Sequence, residues 1–154
     1  ELARQSVQQM RSAWDASEDK ARQAVLASGV KANAVDMAAF RGKSWSPYVR
    51  FIPVRCLGSV NAIWVADAMS KGVDGVMLLG CKYGDDYQCH FVKGSEICAR
   101  RKENIAETLN RLGVQPERVE QLEVAIDEYD KVPDLIDGFV DRIMAMGPNP
   151  FKGM

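Results

Sequence analysis

No apolar run in the sequence approaches the roughly 18 residues that a membrane-spanning helix needs, so direct membrane insertion is not expected. The first residues carry no signal-peptide pattern. No long basic block is present. With 20 Lys+Arg against 21 Asp+Glu, the formal net charge is −1, which argues against a nucleic-acid partner. Neither a dinucleotide fingerprint nor a P-loop occurs, which speaks against nucleotide hydrolysis and direct nicotinamide binding. No nucleophile–base pair is legible, so catalysis within this chain alone is not expected. Internal repeats and low-complexity tracts are also missing.

What remains is an ordinary globular composition, 47% hydrophobic and 27% charged over 154 residues, which fits one domain with a single core. Four cysteines could form two disulfides, but the lack of a secretory signal and the ample core point to a reduced, cytoplasmic chain. Glu1 in place of methionine reads as a processed chain or the C-terminal piece of something longer.

Along the chain, residues 1–22 are polar and alanine-containing, with Leu2, Val7, Met10 and Trp14 at roughly helical spacing. They read as a helical extension or linker, leaving 23–154 as the main domain. Ala24–Ser28 suits either a helix end or a short first strand, with a break at Gly29. Ala32–Phe40 reads as helix. Tyr48–Arg55 reads as strand, with Pro53 confining its end to a sheet edge or bulge. A helix capped by Ser59 or Asn61 runs to about Lys71. The run Val73–Leu79 is short, valine-containing and flanked by glycine, and predicts a buried strand. A long helix follows from Gly94 to Leu112, with Ile97, Cys98, Ile105, Leu109 and Leu112 inward and Gly113 ending it. Arg118–Ile126 predicts a strand, and Val132–Met146 a helix turning Leu135, Ile136, Phe139, Val140, Ile143 and Met144 inward. The tail from Gly147 cannot be helical. Alternation of this kind predicts an α/β fold: a parallel sheet of three to four strands flanked by helices, joined by right-handed crossovers.

The chemistry is concentrated in Leu79-Gly-Cys-Lys-Tyr-Gly-Asp-Asp-Tyr-Gln-Cys-His90, which holds two cysteines and the chain's one histidine. In an open α/β sheet, sites are built at the carboxyl ends of strands. Cys56 and Cys81 each end a strand and should share one rim, where neighbouring strands lie about 5 Å apart. Cys89, in the same loop as Cys81, can fold back to them. Three thiols with His90, and Asp85 or Asp86 beside them, form a suggestive but incomplete ligand set for zinc, copper(I) or an iron–sulfur cluster. No compact C-x-x-C pair strengthens it, and small semi-polar cysteines also suit crowded strand ends. Cys98, on an apolar helix face, reads as a core cysteine. Asp85-Asp86 reads as a solvated loop tip, Arg100-Arg101-Lys102 as a solvated helix face, and Gly80 and Gly84 as turn glycines.

At these residues a resemblance emerges. Arg55-Cys-Leu-Gly-Ser59, Gly72-Val-Asp-Gly-Val76, Gly80-Cys81 through Cys89-His90, Gly94 and Gly147-Pro-Asn-Pro150 resemble the iron–sulfur (delta) subunit family of methyl-viologen-reducing hydrogenases, over about residues 24–153. The family also occurs fused to heterodisulfide reductase A-like flavoproteins. The Gly-Asp-Asp-Tyr-Gln-Cys-His loop and the Asn-Pro-Phe-Lys-Gly ending look most like the C-terminal domain of B subunits of quinone-interacting membrane-bound oxidoreductase complexes. The resemblance implies an electron-transfer module with a 2Fe–2S cluster on Cys56, Cys81 and Cys89, with His90 as a further metal ligand. It also implies FAD on the rest of a parent chain, and redox-complex partners including a flavoprotein, with membrane association coming only through them. Such complexes are thought to link menaquinone to adenylylsulfate reductase in sulfate respiration.

The family usually carries a C-x-x-C after its first strand, whereas this chain has no cysteine before Cys56. That departure opens a second expectation, a cluster-free docking or assembly domain of the same complex. A structural zinc site on the same three thiols and His90 is a third.

Overall fold

The structure is a computed structural model that describes residues 23–27, 29–86, 89 and 91–153. The helical extension expected over 1–22 lies outside the described residues, as does His90. Strands β1 (Gln23–Ala27), β2 (Val49–Pro53), β3 (Gly75–Cys81) and β4 (Val119–Val124) form one sheet in the order β2-β1-β3-β4, every pair parallel. Helices α1 (Gly29–Phe40), α2 (Ala62–Ser70), α3 (Gly94–Leu112) and α4 (Val132–Met146) alternate with them. The expected α/β architecture is borne out, and the ambiguous Ala24 segment is a strand.

The strand order dictates the layers. The chain steps from β1 outward to β2, then back past β1 to β3 and on to β4. Right-handed crossovers in opposite directions put α1 on one face and α2 and α3 on the other. Packing follows this arrangement. Val76 and Leu78 of β3 share a core with Val65 and Met69 of α2 and with Cys98, Ile105 and Leu109 of α3. Met77 and Leu79 belong to the opposite core, with Ala34 and Val35 of α1 and Ile136, Phe139 and Ile143 of α4. A strand covered on both faces reads as a continuous apolar run, as β3 does. Each such fully buried side chain contributes roughly 1.5–3 kcal/mol.

Local sequence sets the helix limits. In α3 the buried positions Cys98, Ile105 and Leu109 recur at helical spacing, while Glu96–Arg100 and Glu107–Arg111 pair one turn apart on the solvent side. Gly113, at φ 73°, closes the helix in the left-handed conformation that favours glycine. Ile97, Leu112 and Met144, expected inward, lie partly in solvent at the edges of their helical stripes. Pro53 ends β2 at the sheet edge, where its missing N–H costs no ladder bond.

The amino ends of the strands carry a buried polar network. Arg118 and Asp74, just before β4 and β3, are fully buried. Arg118 donates from Nη1 to the carbonyls of Asp74 and Gly147, both at 3.0 Å, and from Nη2 to that of Pro148 at 3.1 Å. The Asp74 carboxylate accepts the Asn149 N–H at 2.7 Å and meets Lys152 Nζ at 3.2 Å. Asn149 Nδ2 donates to the carbonyls of Met69 at 2.8 Å and Val73 at 2.6 Å. Burial pulls the Arg118 guanidinium below its ordinary value, with Asp74 opposing. The tail is thus bound across the bottom of the sheet. Strand β3 starts at Gly75 rather than Val73 because Val73 and Asp74 are committed to this network.

Candidate functional site

Opposite the network, Cys56 and Cys81 lie at the carboxyl ends of β2 and β3, and Cys89 lies in the connection from β3 to α3. Cys56 and Cys81 do not stand on adjacent strand ends. Strand β1 lies between β2 and β3, pairing Ala27 with Pro53 on one side and with Leu79 on the other. The strands carrying Cys56 and Cys81 are therefore two spacings apart, roughly 10 Å. The chain beyond β2 closes that gap. Cys56 is extended, at φ −158° and ψ 138°, and opens a single 3-10 turn, Leu57–Ser59. Its Sγ accepts the Gly58 N–H at 3.4 Å, and its carbonyl accepts the Ser59 hydroxyl at 2.7 Å.

This turn is held against β3 and α3. Leu57 is fully buried, and a Cβ added to Gly80 would lie 2.5 Å from both Leu57 Cδ1 and Ser95 Oγ. Gly80 therefore serves a close approach inside the strand rather than a turn. Cys56 and Cys81 each sit one residue from this Leu57–Gly80 contact. Arg101 Nη1 donates to the carbonyls of Gly58 at 2.6 Å and Val60 at 3.2 Å, fastening the turn to α3. The basic triplet is thus split: Arg100 pairs with Glu96 in solvent, while Arg101 is structural. Asp85 and Asp86 are exposed in a short 3-10 turn, as expected of a loop tip.

Cys56, Cys81 and Cys89 are half-buried, and Cys98 is buried at 1% exposure. The sulfur of Cys56 rests against the first turn of α3, where a Cβ on Gly94 would fall 2.0 Å from it. Cys98 lies one turn further along the same helix. Burial pushes its thiol up to about 11, with Arg101 opposing and Cys56 adding to the rise. The exit from the rim is also anchored. Lys82 Nζ meets Glu128 Oε2 at 2.9 Å, and Lys131 Nζ meets Glu128 Oε1 at 2.7 Å. The Lys131 hydrogen bond, the Ala125 N–H and Lys82 together hold the Glu128 carboxyl down to about 2.

The donors present are thiol sulfurs, the right chemistry for an iron–sulfur group, and glycine at 58 and 94 keeps side chains clear of one of them, that of Cys56. Three thiols are one short of the usual four. Among the described residues, no three Cys, His, Asp or Glu side chains stand together as a group that could hold one metal ion. Sequence reasoning missed the parts played by Leu57, Gly58, Gly94, Ser95 and Arg101. The available signal was the glycine after Leu57 and the glycine opening α3.

Comparison with known proteins decides the family. The profile of the methyl-viologen-reducing hydrogenase delta subunit family matches residues 24–147. The chain belongs to that family. It is 33% identical over 119 residues to the iron-sulfur D subunit of the F420-non-reducing hydrogenase of Archaeoglobus profundus, covering 77% of this chain and 85% of the relative. The iron-sulfur D subunit of the vhc F420-non-reducing hydrogenase of Methanococcus voltae is 32% identical over 117 residues, covering 76% and 79%. Similarity extends to the large A subunit of the ferredoxin/F(420)H(2)-dependent CoB-CoM heterodisulfide reductase of Methanosarcina acetivorans, at 28% over 100 residues. That match covers 65% of this chain but 12% of the relative. The same domain thus occurs as most of one small protein and as a small part of a large one.

Proposed function

We propose that this chain is an electron-transfer module of a heterodisulfide-reductase-like redox complex, holding a 2Fe–2S cluster through Cys56, Cys81 and Cys89. When bound, such a cluster supplies one-electron carriage between partners. The chain's own residues fix where that happens. Leu57 and Gly80 bring the Cys56 turn onto the end of β3, Arg101 fastens it, and the Lys82–Glu128 pair holds the strand exit. The observation that carries this reading is the set of half-buried rim thiols in a chain whose relatives are named iron-sulfur subunits.

In the finer form of the reading, electrons pass between a quinone-linked membrane partner and soluble flavin and iron–sulfur proteins, in the manner of quinone-interacting oxidoreductase complexes that serve adenylylsulfate reductase in sulfate respiration. FAD resides on a flavoprotein partner or on the remainder of a parent chain, and the module works in the cytoplasm. Matches to both hydrogenase and heterodisulfide reductase proteins support a place between such partners. A docking face is needed, and the same rim offers exposed apolar residues for it, Ile63 and Trp64 opening α2 and Phe91 and Val92 preceding α3.

The second reading, a cluster-free docking or assembly domain, is favoured by the absence of any cysteine before Cys56. Visible spectroscopy on the full chain, reconstituted without oxygen with ferrous iron and sulfide, separates the two. Absorption that bleaches on reduction and returns when an oxidised flavoprotein is added supports the electron carrier. A folded protein that stays colourless supports the docking domain.

A further inference from the structure

The chain is close to neutral, yet the surface around Cys56 is basic and apolar at once. We propose that this face, where the entry to α2 is joined to the start of α3, docks an acidic protein surface with an apolar centre, of the kind that surrounds an exposed flavin edge. The proposal rests on the redox-module reading above and names the chemistry of the partner that its docking face takes.

Two segments make the face. Residues 54–66 carry the Cys56 turn into the first turn of α2, and residues 91–102 lead into the first turns of α3. They touch at two points. A Cβ on Gly58 would lie 3.0 Å from the Gly94 Cα, and Arg101 Nη1 donates to the Gly58 and Val60 carbonyls. On either side of this seam stand apolar side chains that the fold leaves in water. Ile63, 69% exposed, and Trp64 follow it on α2, while Phe91, 91% exposed, and Val92 precede it. Single exposed apolar residues are ordinary, but four beside one seam, two of them aromatic, have the composition of an interface core. The seam is bonded within the fold itself, so little ordering opposes docking. Cys56 is half-buried beside it, which puts a docked partner near one of the proposed ligands.

Charge says what covers the face. The two segments hold Arg55, Lys93, Arg100, Arg101 and Lys102 against one carboxylate, Glu96, in a chain whose net charge is −1. Glu96 is itself engaged by Arg100 and Lys93. Elsewhere at the carboxyl end of the sheet the sign reverses. In the segments after β3 and β4, Asp85, Asp86, Asp127, Glu128 and Asp130 outnumber Lys82 and Lys131. An acidic partner is attracted by the first side and repelled by the second, which sets its orientation as well as its position. A broad anionic membrane surface would bring its charge toward both sides, whereas a protein face can be confined to one.

The test titrates the nitrogen-15-labelled full chain with flavodoxin, a small acidic flavoprotein, and follows the amide shifts at low and at high salt. The expected shifts fall in 54–66 and 91–102, and binding weakens about tenfold or more at high salt. Arg55→Glu combined with Lys102→Glu, both at exposed positions, should weaken binding about tenfold at low salt. Trp64→Ala should weaken it about tenfold at either salt, with the amide spectrum showing that each variant folds. Asp85→Lys combined with Asp86→Lys should not weaken it. Shifts centred on the Asp85 loop, no shifts at all, or binding indifferent to salt and to charge reversal would overturn the proposal. Shifts of the same residues by phosphatidylglycerol vesicles, with none from flavodoxin, would overturn it in favour of a membrane surface. Iron uptake on the same samples separates this from the cluster. Binding by a chain that takes up no iron sustains the docking face and removes the carrier, and iron uptake without binding does the reverse.

Discussion

The two ends of the sheet are built on different principles. At the amino end, Asp74, Arg118 and Asn149 are buried and bonded to one another, to the tail and to strand entries. At the carboxyl end, the thiols Cys56, Cys81 and Cys89 are half-buried, and glycines 58, 80 and 94 allow close approach. A closed polar network in a low-dielectric interior is strong while complete and costly to break. The rim instead packs closely around its glycines while leaving three sulfurs half-exposed. The same four-stranded sheet therefore has a closed polar network at one end and the proposed site at the other.

The largest effect should come from breaking the network. Arg118→Met removes the donors to the carbonyls of Asp74, Gly147 and Pro148 and leaves these acceptors unpaired, while the Asp74 carboxylate keeps Lys152. A loss of about 3 kcal/mol is expected from the unpaired buried acceptors, measured by urea unfolding, with the tail becoming accessible to protease. The rim should remain able to take up iron at temperatures where the variant is folded.

Two glycine variants sharpen the contrast at the rim. Gly80→Ala drives a methyl into the buried Leu57 and into Ser95, with an expected cost of about 1–3 kcal/mol in the same unfolding measurement. Gly94→Ala meets the sulfur of Cys56, which can rotate away, and the Gly58 backbone nitrogen at 3.1 Å, which need give only slightly, so the expected cost is about 1 kcal/mol and below that of Gly80→Ala. Iron uptake should nevertheless fall, because the displaced sulfur is a proposed ligand. Equal effects of the two variants on stability would erase the distinction between packing and site on this rim.

The smallest effect concerns pH. Glu128, held down to about 2, is ionised when folded at pH values where an ordinary carboxyl has begun to protonate. A carboxyl depressed on folding contributes stability that is fully present above its unfolded value, near 4.5. That contribution is lost as pH falls through the folded value. The Lys82 and Lys131 contacts should therefore survive at pH 4 and release toward pH 2, read as the NMR titration of the Glu128 carboxyl carbon. Glu128→Gln should remove that pH dependence.

How much of this was legible in the sequence follows from the range of the forces involved. The bounds of α3 and α4 were readable because apolar spacing, Gly113 and the Pro-containing tail are local signals. The sheet order was not, since nothing local in Gln23–Ala27 says that this short, alanine-containing segment lies between β2 and β3. Ile63 and Trp64 are apolar helix residues that nevertheless face solvent, because α2 buries Val65 and Met69 instead. The tail's polar residues gave no sign that Asn149 reaches Met69 and Val73, a contact made across some 80 positions of sequence. The rim cysteines were legible as donors by type. The seating of the Cys56 sulfur against Gly94 was not, because it depends on the Leu57 turn crossing from an edge strand to α3.

The most direct measurement of the central claim is the iron and acid-labile sulfide content of the full chain purified without oxygen. The account predicts about two irons and two sulfides per chain, with little zinc, as a 2Fe–2S cluster requires. A folded chain holding neither iron nor sulfide would contradict it and leave the rim as a docking surface.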